Sequence, residues 1–173
     1  MRPARRDDLP TLSALVEAAI AELQRGFLDD DAIRSSRAIM GLDTQLVDDG
    51  TYFVAELDGV LAGCGGWSRR ATLYGGDHSA GRDAGLLDPR RDPARIRAMY
   101  THPAVARRGV GRAVLARCEA AAAAEGFTTL ELMATAAGEP LYRAAGYRVT
   151  ERVTDPSGGA PVPLARMRKH LTP

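Results

Sequence analysis

The chain has 173 residues, of which 45% are hydrophobic and 26% charged, which suits one domain with a proper core, expected over residues 1–173. Its formal net charge is only +1, from 23 basic and 22 acidic residues, so nothing in the balance calls for nucleic acid or an anionic membrane as partner. No uncharged run approaches the ~18 residues of a membrane-spanning helix. Met1–Asp8 has no apolar signal core behind it, and Cys64 and Cys118 lie in apolar contexts that suit buried thiols, so a cytoplasmic protein is expected.

Residues 1–5 can form a short strand. After Asp7-Asp8, Leu12, Leu15, Val16, Ala19, Ile20 and Leu23 share one helical face. Asp29-Asp30-Asp31 opens a second helix that includes Ile33 and Met40 and ends at Gly41. Residues 51–57 alternate as a strand, Asp58-Gly59 is a two-residue hairpin turn, and residues 60–67 return as a second strand. The glycines at 63, 65 and 66 weaken that strand but permit close packing or a bulge. Residues 69–93 form a long polar segment, which in a compact domain signals function or ordering by something else. A strand at 94–101 is stopped by Pro103, with His102 shaping the turn. A helix runs from 109 or 110 to 125 and is capped by Gly126. A buried-type strand covers 128–134, a short helix 140–145, and two closing strands 147–153 and 162–170. The central strand–helix–strand run implies a parallel pair with a right-handed crossover, and the flanking hairpins make the sheet mixed.

The turn at Arg107-Arg108-Gly109-Val110-Gly111 opens the long central helix, where unpaired N–H groups and the helix dipole favour an anion, above all a phosphate. A nucleotide-binding loop of the Gly-Lys-Ser/Thr type is excluded, because Arg112-Ala113 follows Gly111. A dinucleotide fold needs a third glycine where Val114 stands. Three scattered histidines and two distant cysteines give no metal-ligand spacing, and no Gly-x-Ser-x-Gly elbow is present.

Arg95-Ile96-Arg97-Ala98-Met99-Tyr100-Thr101-His102-Pro103, followed by Ala106 to Leu115, resembles the central motif of GNAT-type N-acetyltransferases, in particular bacterial ones. Leu141-Tyr142-Arg143-Ala144-Ala145-Gly146-Tyr147 is similar to the family's second signature, a tyrosine on a short helix before Gly-aromatic. The resemblance covers the whole chain. It implies an α/β (α+β) fold: a mixed twisted sheet of about six to seven strands with a splayed parallel pair, flanked by about four helices. It also implies acetyl-CoA as co-substrate and no metal. The pantetheine arm would pair with the main chain of Met99, Tyr100 and Thr101, and the pyrophosphate would sit on Ala106, Arg107, Arg108, Gly109, Val110, Gly111 and Arg112. Ala106 departs from the family pattern, which has Gln or Arg there.

The resemblance further implies direct transfer of an acetyl group to a primary amine, with Tyr142 as general acid. Glu131 is a candidate base or else a solvated strand residue or partner to arginine, with Asp77, His78 (or a plain surface histidine) and Tyr100 as rivals. The acceptor, a small amine or a peptide, would be bounded by Asp29–Asp31, Asp48-Asp49 and the Tyr74–His78 loop, acids that serve equally as caps. Trp67 can line the cleft or the core. The closing strands offer an edge for a homodimer. A non-catalytic acyl-CoA sensor on the same scaffold is the competing reading, against which the tyrosine counts.

Overall fold

The computed structural model describes residues 1–171. It contains one seven-stranded sheet in the order β1-β2-β3-β4-β5-β7-β6. The strands are β1 (Arg2–Pro3), β2 (Tyr52–Leu57), β3 (Val60–Ser68), β4 (Ala94–Thr101), β5 (Thr129–Thr135), β6 (Arg148–Asp155) and β7 (Val162–His170). Five helices accompany them: α1 (Leu9–Leu23), α2 (Asp30–Ser36), α3 (Thr44–Asp48), α4 (Val110–Ala124) and α5 (Glu139–Ala144). Only β4 and β5 run parallel; every other pairing is antiparallel. The mixed sheet with one parallel pair is as expected. The short helix α3 was not, and among the described residues no helix is long and apolar enough to cross a membrane.

Each helix packs where its pattern puts it. The apolar stripe of α1 is buried at Leu12, Leu15, Val16, Ala19 and Ile20, against Tyr52, Val54, Cys64 and Tyr100. On the opposite face, α4 buries Val114, Leu115, Cys118 and Ala122 against Phe53, Ile96, Leu130 and Leu132. The close approach of α4 depends on the β3 glycines: a Cβ at Gly63 would stand 2.6 Å from the Val110 side chain. Ala113 and Arg117 of α4 are exposed. Trp67 belongs to this core and meets Phe127 edge to face at 5.9 Å. Asp58 and Gly59 both take positive φ, 52° and 79°, the backbone that a two-residue hairpin requires. Both cysteines are buried and free.

Helix α2 ends at Ser36 rather than Gly41. The Ser36 hydroxyl donates to the Ile33 carbonyl at 2.7 Å and accepts from the Gln24 amide at 2.8 Å, a local bond that competes with helix continuation. Ser35 is claimed from elsewhere: it donates to the Gly158 carbonyl and accepts from the Ala160 N–H. The tip of the β6–β7 hairpin is thus strapped onto α2. Asp43 caps α3, accepting from Gln45 N–H at 3.2 Å.

Two carboxylates tie distant elements together and set the acid limit of the fold. Arg2 bonds Asp8 and Glu56, and these bonds bring Asp8 down to about 2. Burial would raise Glu131, but Arg166, Arg168 and Arg95 more than offset it and hold that carboxyl below its ordinary value. Both folded pKa values are depressed, so the stability they contribute is present above the unfolded values, 3.8 and 4.5, and is lost as pH falls through the folded ones. The thermal midpoint should therefore be level down to about pH 5 and fall steadily toward about pH 2. A midpoint that stays constant from pH 5 to 3, followed by circular dichroism, would contradict this.

Candidate active site

The parallel pair is the origin of the site. β4 and β5 hydrogen-bond only at Ala94–Leu130 and Arg95–Glu131. Beyond that point they diverge, and the β4 edge from Ile96 to Thr101 has no strand beside it. A bulge helps turn that edge outward. Cys64 pairs with Tyr100 and Gly66 with Arg97, so Ala98 and Met99 together oppose Gly65. Ala98 has φ 48°, costly for a residue with a Cβ. Two phenols hold the strand in place: Tyr52 donates to the Ala98 carbonyl at 2.8 Å, and the Tyr100 hydroxyl accepts from Gly41 N–H at 2.9 Å.

The divergence opens a cleft of about 100 Å³. Ile96 to Tyr100 form its β4 wall, Met133 and Thr135 its β5 wall, and Tyr142 on α5 its far side. Ile39, Met40, Leu73, Tyr74 and Leu164 complete the rim. The Tyr142 ring packs edge to face on Tyr147 at 5.8 Å, and its hydroxyl makes no hydrogen bond to the described residues. Burial pushes this phenol well above its ordinary pKa, with Tyr100 and Cys118 adding to the effect. It stays protonated through neutral pH and is a proton donor.

At the mouth of the cleft, Gly109 caps α4 with φ 86° and no capping side chain. Six consecutive N–H groups, Arg107 to Arg112, have no acceptor among the described residues; the first helical bond is Ala113 N–H to the Gly109 carbonyl. Arg107, Arg108 and Arg112 are exposed around them. Gly111 lies against Thr101 and Leu141, where an added Cβ would stand 3.4 and 3.3 Å away. The helix start therefore adjoins both the β4 edge and α5. A row of bare amides ringed by guanidiniums fits a pyrophosphate, and the unpaired β4 edge fits an amide-bearing arm. His102 shapes the approach, its Nδ1 accepting from Ala104 N–H at 3.2 Å.

Of the other sequence candidates, Tyr100 lines the cleft with its hydroxyl bonded to the Gly41 main chain, and the rest lie elsewhere. Glu131 does not line the cleft. It is fully buried beside the closed end of the wedge, where Arg95, Arg166 and Arg168 all donate to its carboxylate. That is the setting of a structural ion cluster and a poor one for a base. Asp77 accepts from Thr44 N–H at 3.0 Å, and His78 Nε2 contacts the Arg37 carbonyl at 2.6 Å. The expected acidic wall is largely engaged structurally, Asp30 being left exposed at the start of α2. Asp29 caps α2, Asp31 pairs with Arg34, Asp48 with Arg6, and Asp49 with Arg70. Only Tyr74 and Gly75 of the 74–78 loop reach the cleft.

One residue of the site was missed. Arg97, 3% exposed, binds Asp43 at 2.7 Å and the carbonyls of Thr72 and Gly75. Asp43 is also bound by Arg82 at 2.8 Å. This triad fastens the 69–93 segment to β4 and so builds the cleft wall. Burial lowers the Arg97 pKa, with Asp43 acting against the shift. A charged residue within the apolar strand 94–101 was the available signal, since such a group needs a partner.

The comparisons with known proteins agree with this geometry. The solved structures that resemble the chain include a GCN5-related N-acetyltransferase of Rhodopseudomonas palustris, with TM-score 0.71 and 22% identity over 98% of this chain and 94% of that one. PaiA N-acetyltransferase of Thermoplasma acidophilum, in complex with coenzyme A, has TM-score 0.65 and 16% identity over 98% and 96%. YncA of Salmonella typhimurium, with acetyl-CoA, has TM-score 0.65 and 21% identity over 99% and 93%. No curated protein matches. The model of the acetyltransferase (GNAT) family matches residues 13–147, most of the chain and both motifs of the cleft, and the chain belongs to that family.

Proposed function

We propose that this chain, as one catalytic domain over residues 1–173, moves an acetyl group from acetyl-CoA directly to a primary amine. The observation that carries the reading is the wedge itself: an unpaired β4 edge, a run of six free amides beside it, and a buried phenol across the cleft from that edge. Acetyl-CoA supplies an activated acetyl thioester. The amides of residues 107–112, with Arg107, Arg108 and Arg112 around them, hold the pyrophosphate, which makes up for Ala106. The main chain of Met99, Tyr100 and Thr101 orients the arm. A β4 N–H aimed at the carbonyl stabilises the developing oxyanion, an effect of about 3 kcal/mol for one such donor. Tyr142 holds the proton that the departing sulfur takes. A phenol of pKa about 10 and a thiol of about 8.5 are close to balanced, and a cleft that raises one anion's proton affinity raises the other's. Glu131 has no part in the reaction.

Isothermal titration with CoA and acetyl-CoA, followed by thiol release across a panel of amines, tests this. Binding heat and acceptor-dependent release are expected. Absence of heat at millimolar CoA would remove the reading, and tight binding with no turnover on any amine or peptide would make the chain a sensor.

A further inference from the structure

We infer that the acceptor is a weakly basic primary amine on a small apolar body, and that it enters the cleft already uncharged. The inference rests on the acyl-transfer reading above. Its first support is the wall: Ile39, Met40, Leu73, Met133 and Leu164 bring apolar side chains to the space, beside the polar groups of Arg97, Tyr100, Thr135 and Tyr142. The thioester end of acetyl-CoA takes part of the same cleft of about 100 Å³, so the room left suits only a small body.

The second support is the census of charge around that space. β4 contributes Arg97 and Tyr100, the loop before it Tyr74, α5 Tyr142, and β5 the Thr135 hydroxyl. Among the described lining residues there is no carboxylate and no imidazole. The acids standing behind the wall are engaged: Asp43 by Arg97 and Arg82, Asp155 by the Tyr74 hydroxyl at 2.7 Å, Glu131 by three guanidiniums, Glu17 of α1, whose charge acts on Tyr100, by Arg37, and Glu139 of α5 by Arg143 and Arg152. A polycationic amine would meet a guanidinium here and no countercharge, an unfavourable burial.

The third support is the missing proton acceptor. An alkyl ammonium of pKa about 10.4 is neutral in only about one molecule in 2,500 at pH 7, a peptide α-amine of about 7.7–8.0 in about one in six to one in eleven, and a less basic aromatic amine is largely neutral. The phenols cannot make up the difference. Burial and Asp155 bring Tyr74 up to about 12, and burial raises Tyr100 and Tyr142 as well. Deprotonation therefore precedes entry. The step balances without a protein base: the nitrogen lone pair forms the C–N bond, and the C–S bond breaks with its electrons to sulfur. Tyr142 gives sulfur a proton, and the surplus proton on nitrogen returns to the phenol through water.

Three probes test this: 4-methylaniline, the strongly basic 4-methylbenzylamine with a similar apolar body, and spermidine. Calorimetry with acetyl-CoA comes first, because failure there sinks the underlying reading and not this inference alone. With binding established, thermal melts in the presence of CoA should rise with 4-methylaniline and stay put with spermidine. The profile of kcat/KM against pH should be flat for 4-methylaniline from roughly pH 6 to 9. For 4-methylbenzylamine it should climb about tenfold per pH unit until that amine's own pKa. Both profiles bending at one shared pH would assign a base on the protein and overturn the inference. So would a higher kcat/KM for spermidine, or acetyl-CoA binding with no thiol release from any of the three.

Discussion

Replacing Tyr142 with phenylalanine should lower kcat by about 10²–10⁴-fold, the usual contribution of a positioned general acid. Acetyl-CoA affinity and the thermal midpoint should scarcely change. The substitution removes one oxygen and keeps the ring, and the ring makes the contacts in the core with Tyr147 and its neighbours. The lost hydroxyl has no internal hydrogen-bond partner, so nothing buried is left unsatisfied by its removal. A kcat defect with level stability and level binding is the pattern of a group that acts only as charge builds on the leaving sulfur. Unchanged kcat at saturating substrates would return Tyr142 to a packing role.

Changing Glu131 to glutamine should do the reverse. The variant keeps the shape but leaves Arg95, Arg166 and Arg168 facing one another around a neutral amide. Breaking a buried ion pair costs about 3–5 kcal/mol. The low end is expected, because Arg166 and Arg168 are 32% and 46% exposed and can turn to water, while Arg95, at 12%, cannot. A loss of about 3 kcal/mol corresponds to a drop of about 6–12 °C in the thermal midpoint for a chain of this size. The kcat of the folded protein should hold within about twofold. A collapse of kcat with an unshifted midpoint would restore Glu131 as the base.

The contrast between these two residues shows what the sequence could and could not disclose. Tyr142 was singled out from its motif and Glu131 from its place on the second strand of the parallel pair, but Tyr142 faces the cleft and Glu131 is enclosed by guanidiniums from β4 and β7. Strand limits, the Asp58-Gly59 turn and the glycine start of α4 are local features, set by periodicity and backbone preference, and they were legible to within a residue or two. α3 was not, since five residues are too few for a helical period. The Arg97–Asp43 pair spans 54 positions and the Ser35–Gly158 strap 123. Nothing local signals which of the many arginines will meet which acid. The bulge at Ala98 was equally hidden, because its cost is met by Tyr52 and by the offset against β3. The acidic runs at 29–31 and 48–49 misled for a related reason: a carboxylate's availability depends on whether a partner elsewhere has already taken it.

The two halves of the cleft are written in different alphabets. The side that would grip the coenzyme is main chain, in the bare amides of residues 107–112 and the free edge of β4, so most side chains there could change while that grip persisted. The side that would meet the amine is made of side chains drawn from the end of α2, the crossing segment before β4, and β7. On the proposed reading, exchanges at Met40, Leu73 or Leu164 would retune which amine is chosen without disturbing the donor, which would put new specificities only a few substitutions away.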